Sequence, residues 1–76
     1  MNDKRRSKIF KAVSMLESAF SIIEAVRDDE QGCLDNMPEN LEYSERYEKM
    51  ENAVDKLDDA ISSIEEAKDA LEEAAE

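Results

Sequence analysis

The fold is decided by residues 50–75, MENAVDKLDDAISSIEEAKDALEEAA. Apolar residues recur there at alternating steps of four and three, interrupted by one lysine: Met50, Val54, Leu57, Ile61, Ile64, Lys68, Leu71 and Ala75. Tyr47 extends the series backwards. This spacing puts the apolar side chains on one stripe of a helix, which is the heptad pattern of a coiled coil. A flanking line of alanines lets a neighbouring helix approach closely: Ala53, Ala60, Ala67 and Ala74.

The first half of the chain repeats this pattern. Its apolar stripe and its small flanking residues are Ile9, Val13, Leu16, Phe20 and Ile23, with Ala12, Ala19 and Val26 beside them. Arg27 and Glu30 then occupy stripe positions, and Leu34 and Met37 resume the stripe in register. We interpret Arg27 and Glu30 as a polar pair that fixes the register of the two helices.

The end of the first helix has two interpretations. Either the helix continues through Gly32 and stops before Pro38, or Gly32 caps it and a longer loop follows. Continuation is favoured because it makes the two helices nearly equal in length. The sequence then predicts helix 1 over about 4–36, a turn over about 37–43 and helix 2 over about 44–75 with Ser44 as its N-cap. Leu41 and Tyr43 are predicted to close the apolar end.

A turn this short forces the helices to lie antiparallel, so the predicted fold is all-α, a single helical-hairpin domain over 1–76. Helix 1 carries more apolar residues than one hairpin interface can bury. Phe10, Met15 and Ile22 fall outside its stripe, and we predict that they form an oligomer interface. The expected assembly is a homodimer of hairpins, a four-helix bundle. Helices that pair between chains instead of within one chain would use the same heptads.

Composition restricts the function. The 76 residues include 21 acids, 10 bases, one cysteine and no histidine, for a net charge of −11. Cys33 has no imidazole to activate it, and the chain offers no thiolate or histidine metal site. We therefore expect no catalytic residue, no cofactor and no metal. The negative charge argues against direct binding to nucleic acid or to an anionic membrane. We expect a cytoplasmic protein.

The acidic stripe of helix 2 has three interpretations. It could occupy a basic groove of another protein in the manner of a nucleic acid, serve only as a solvated exterior, or bind divalent ions. An EF-hand frame around Gly32 fails, because its first ligand position is Arg27 and its last is Pro38. The residues we predict to bind a basic partner are Asp55, Asp58, Asp59, Glu65, Glu66 and Asp69.

A basic cluster at the start of the chain contrasts with this stripe. The first eleven residues carry +4 and the remaining ones −15, and the bases are Lys4, Arg5, Arg6, Lys8 and Lys11. The cluster could hold a small anionic ligand. Alternatively it could neutralise the acidic end of helix 2, which lies beside it in an antiparallel hairpin.

The segments DNMPENL (35–41), SERYE (44–48) and MENA (50–53) carry a resemblance to a known group of proteins. The chain is similar, over roughly residues 20 to 72, to small acidic uncharacterised helical proteins of bacteriophages and related mobile elements of Gram-positive bacteria. The resemblance implies a cytoplasmic location in a bacterial host. It brings no assigned chemistry, and Gly32 and Cys33 stand where such proteins have helix formers. Small acidic phage proteins are often inhibitors of host or defence proteins, some of them DNA mimics.

Besides the binding of a small anionic ligand at the basic cluster, two functions remain open. The first is a non-enzymatic inhibitor or adaptor that binds a basic host protein through its acidic face. The second is a structural or assembly coiled coil whose charge only provides solubility.

Overall fold

The structure, a computed structural model, describes residues 1–41 and 44–76. Helix α1 spans Asp3–Asp35, a short 3₁₀ helix spans Glu39–Leu41, and helix α2 spans Glu45–Ala74. The two long helices pack against each other as a hairpin, and the described residues contain no strand. The predicted all-α hairpin is confirmed. The short 3₁₀ helix within the connection was not predicted.

Helix α1 begins at a side-chain cap and continues past its glycine. The Asn2 carboxamide oxygen accepts a hydrogen bond from the Arg5 backbone N–H at 2.8 Å, which satisfies one of the free donors of the first turn. At the other end the Asn36 N–H donates to the Gly32 carbonyl at 3.1 Å. Pro38 follows, and its ring disfavours helical geometry at the preceding residue. Gly32 therefore lies inside the helix, and the alternative in which it caps α1 is wrong.

Gly32 is a position where a stabilising substitution is expected. A Cβ atom added there would have no contact within 4 Å. Gly32→Ala should raise the free energy of unfolding by about 1 kcal/mol, because alanine loses less backbone entropy in a helix. Thermal unfolding followed by circular dichroism checks this as an increase in Tm of roughly 4–8 °C. An unchanged or lower Tm would contradict it.

Helix α2 is capped by Ser44, whose hydroxyl oxygen accepts from the Tyr47 N–H at 3.2 Å. The Glu45 and Glu48 carboxylates lie in the first turn, where the helix dipole favours negative charge. The observed bounds of both helices differ from the predicted ones by one residue at each end. The structure describes neither Tyr43 nor the side chain of Leu41, so the prediction that these two residues close the apolar end lies outside the described residues.

The core is a single row of side chains between the helices. The predicted stripe positions are buried or half-buried in both helices, from Ile9 to Leu34 and from Tyr47 to Ala75. Among the described residues, nevertheless, only Val13, Val54 and Ala75 are buried, with 6%, 5% and 6% of their surface exposed. The hairpin measures 59 × 15 × 13 Å, so it is one helix pair thick. Such a core leaves most of each helix surface in contact with water.

Candidate protein-binding face

The candidate partner-binding acids lie on one side of α2. At 100° per residue they occupy a continuous sector of about 120°, and the side of α2 that carries them is called the acidic face here. All of them are exposed: Asp55, Asp58, Asp59, Glu65, Glu66 and Asp69. Because α2 is unbroken from Glu45 to Ala74, these carboxylates are held at fixed spacings along a rigid rod. The helix therefore brings together the acids that the sequence pattern selected.

Asp58 differs from the other acids because it contacts α1. Its Oδ1 accepts from the Arg27 Nε at 2.8 Å, and the Arg27 Nη1 lies 3.5 Å from the Asp28 Oδ1. The hydrogen bond to Asp58 raises the pKa of Arg27; partial desolvation opposes this, and the charges of Asp58 and Asp28 add to it. Asp58 thus joins the two helices, whereas the other five candidate acids form no ion pair with α1 in the part of the chain that the structure describes. Among the described residues, Arg27 forms its ion pairs with Asp58 and Asp28 and not with Glu30.

Lys68 provides the second ion pair between the helices. Its Nζ lies 3.7 Å from the Glu17 Oε1. The step of ten residues from Glu17 to Arg27 matches the step of ten from Lys68 back to Asp58, as the antiparallel arrangement requires. Both pairs join a stripe residue of one helix to the residue that follows a stripe residue on the other. The lines that follow the stripes therefore meet on one side of the hairpin, the side of the acidic face.

The bases of α2 lie away from the acidic face. Lys68 occupies a stripe position, whereas Arg46, Lys49 and Lys56 project from the opposite side of the helix. Lys49 is also engaged locally, with its Nζ 3.4 Å from the Glu45 Oε1. The acidic face consequently presents carboxylates without interleaved bases among the described residues of α2.

The basic cluster at the start of α1 lies beside the end of α2. The Arg6 Nε donates to the Ala75 carbonyl at 2.8 Å, and its Nη1 contacts the Asp3 Oδ1 at 3.0 Å. Arg6 thus satisfies a carbonyl at the negative end of the α2 dipole. Arg6 contacts α2 through this backbone carbonyl and not through a carboxylate of the acidic end. In the described parts of the chain, no base of the cluster lies within 4.0 Å of a carboxylate oxygen of Glu72, Glu73 or Glu76.

The predicted oligomer residues are exposed, but they do not share one surface. Phe10, Met15 and Ile22 are 54%, 63% and 65% exposed. Met15 and Ile22 lie about 20° apart around α1, whereas Phe10 lies about 140° from Met15, on the side of the acidic face. Val26, 49% exposed, lies near Ile22 and was assigned only a flanking role. The sequence could have grouped Val26 with Met15 and Ile22, because each of the three residues directly precedes a stripe residue.

The described residues hold no cavity and no group of three or more side chains arranged to bind a metal ion. No helix described here is long and apolar enough to cross a membrane. Comparison of the chain with family models, curated proteins and solved structures gives no match.

Proposed function

We propose that the hairpin is a non-enzymatic protein-binding module that inhibits a basic host or defence protein by occupying its nucleic-acid-binding surface. The observation that carries this proposal is the separation of charge on α2. Carboxylates fill one side of the helix, and the bases of the same helix project elsewhere or pair across the hairpin. The resemblance to small acidic phage and mobile-element proteins favours the same class of function and a bacterial cytoplasm as its location.

The geometry is suited to imitation of a nucleic acid backbone. Carboxylates one helical turn apart are separated by about 5.4 Å along the helix axis. Because α2 is unbroken from Glu45 to Ala74, its backbone already holds this row in order before a groove lined with lysine and arginine is met, which lowers the ordering cost of binding. Charge of one sign on the row accelerates encounter with an oppositely charged surface.

Affinity capture from a bacterial lysate tests this function. The tagged hairpin is incubated with nuclease-treated lysate and eluted across a salt gradient. We expect one basic, nucleic-acid-binding protein to be enriched, to elute as salt screens the charges, and to be displaced by added duplex DNA. Capture that is insensitive to salt and to DNA would contradict the proposal.

The alternative function is that of a structural or assembly coiled coil. It is favoured by Met15, Ile22 and Val26, which are 63%, 65% and 49% exposed in the hairpin. Recovery of the hairpin alone from the lysate, as a defined oligomer, would support this alternative over inhibition.

A further inference from the structure

We infer that a second copy of this chain docks on a face distinct from the acidic face, to form a two-fold symmetric four-helix bundle in which each α1 lies on the partner's α2. This inference goes beyond the proposed function and does not depend on it. It starts from a second line of residues on both helices, each one position before a stripe residue. The central part of these lines is called the second apolar face: Ala12, Met15, Ala19, Ile22 and Val26 on α1, and Ala60, Ser63, Ala67 and Ala70 on α2.

The two lines lie on the same side of the hairpin. The residues that follow the stripes meet on the acidic side, where Glu17 and Asp58 form their ion pairs. The residues that precede the stripes must therefore meet on the other side. Each second line is rotated from its stripe by one residue, or about 100°. In a square bundle of four helices each helix has two neighbours at roughly 90°, so both helices already carry the second contact line that a bundle needs.

The chemistry of this face is that of an interface between proteins. Its α1 half exposes Met15, Ile22 and Val26, at 63%, 65% and 49%. Bases lie at its ends, with Arg5 and Lys8 towards one end and Lys49 and Lys56 towards the other. An apolar centre with a charged rim is the usual composition of such an interface. Asp29 is the one acid on these lines in the part of the chain that the structure describes.

The exposed area matches what a second copy would cover. The hairpin exposes 5734 Å², whereas a compact 8.7 kDa monomer exposes about 4,700 Å². The excess of about 1,000 Å² per chain is comparable to the roughly 800 Å² that each partner buries in a standard interface. Coverage of this area would also thicken a core in which, among the described residues, no side chain is completely buried.

The face is complementary to itself, and this selects a second copy as its occupant. The large residues lie on α1, and the small ones lie on α2. A two-fold axis parallel to the helices lays each α1 on the partner's α2. Rotation about this axis leaves the position of every residue along the bundle unchanged, so residues at the same height in the hairpin meet between the chains. The ion pairs of the hairpin set those heights, so Met15 meets the partner's Ala70 and Ile22 meets the partner's Ser63. By the same register Asp29 meets the partner's Lys56.

An axis perpendicular to the helices would instead lay α1 on α1 and α2 on α2. The contact between the two α1 helices would then join large residues, and the contact between the two α2 helices would join only alanine and serine. The distance between the α1 helices would therefore be larger than the distance between the α2 helices. With the parallel axis both contacts between the chains join large residues to small ones, and the separations are equal. The second copy is therefore placed with α1 on the partner's α2.

The oligomeric state and two matched substitutions test the inference. Light scattering on the wild-type chain should give twice the 8.7 kDa mass. Ile22→Glu should raise the dimer dissociation constant by more than about a hundredfold, because it buries an unpaired charge at the centre of the interface. Phe10→Glu introduces the same charge at a similarly exposed apolar residue on the other side of α1, and it should leave the dimer intact.

A monomeric wild type, an open-ended polymer, a dimeric Ile22→Glu, or equal dissociation of both variants would overturn the inference. The arrangement is tested on the wild-type sequence, so it does not depend on the folding of a variant. A spin label on the exposed thiol of Cys33, which lies on the second line beyond the end of the second apolar face, reports the distance between the two chains once light scattering shows that the labelled chain is still a dimer. The parallel axis predicts a distance below about 25 Å, and the perpendicular axis about 40 Å. The longer distance would overturn the pairing of α1 with the partner's α2.

Discussion

Val54→Asp is expected to unfold most of the hairpin at 25 °C. Val54 is 5% exposed and is one of the few residues in the described chain that the two helices bury well. Removal of its apolar contacts costs about 1.5–3 kcal/mol, and the buried carboxylate adds a few kcal/mol more. A domain of this size has little stability to lose. Far-UV circular dichroism should show the loss of helix, and a urea titration should show a lower midpoint.

Asn52→Asp is the matched control for this substitution. It adds the same charge to the same helix, two residues away, at an exposed position. Since no apolar contact is lost there, the urea midpoint should stay near that of the wild type. A Val54→Asp variant with the wild-type midpoint would mean that the row of side chains between α1 and α2 does not hold the hairpin together.

The helical part of the fold follows from the sequence because its causes are local and periodic. Alternating steps of four and three define a stripe on each helix, and Asn2, Ser44 and Pro38 act on the backbone within one turn of themselves. The hydrogen-bond and ion-pair partners of the long polar side chains were harder to predict from the sequence. Arg27 had several carboxylates within reach, and the register of the facing helix decided in favour of Asp58.

The candidate faces could be predicted in part, because the helical period determines which residues lie on the same side of a helix. The acids of α2 could be assigned to one side because the helical period fixes their angles. The sequence analysis does not separate the exposed apolar residues of α1 into two sides, although the helical period of 100° per residue would have allowed it. The prediction of one oligomer interface from Phe10, Met15 and Ile22 rests on their lying outside the stripe, and not on their lying on the same side of the helix. The structure separates them because α1 is unbroken across all of them.

Reversal of three acids on the acidic face is expected to abolish partner binding if the proposed function is correct. Asp55, Asp59 and Glu66 are exposed and form no ion pair across the hairpin, so their replacement by lysine should leave the fold intact. Asp58 is left unchanged because it pairs with Arg27. The triple variant should lose at least about a hundredfold in affinity for the captured protein, since attraction becomes repulsion at each position. Titration at low salt measures this loss, and circular dichroism verifies the fold.

A matched variant separates the acidic face from the net charge. Replacement of Asp35, Glu39 and Glu45 by lysine changes the net charge of −11 by the same six units, but these residues lie near the turn. Because Glu45 lies in the first turn of α2 and contacts Lys49, circular dichroism must show an intact fold before the affinities are compared. If the face itself is recognised, this variant should retain most of the affinity, because long-range attraction is screened within about 10 Å at 0.1 M salt. Equal losses in both variants would show that the partner responds only to overall charge. Unchanged binding by the Asp55, Asp59 and Glu66 variant would reject the acidic face as the binding surface.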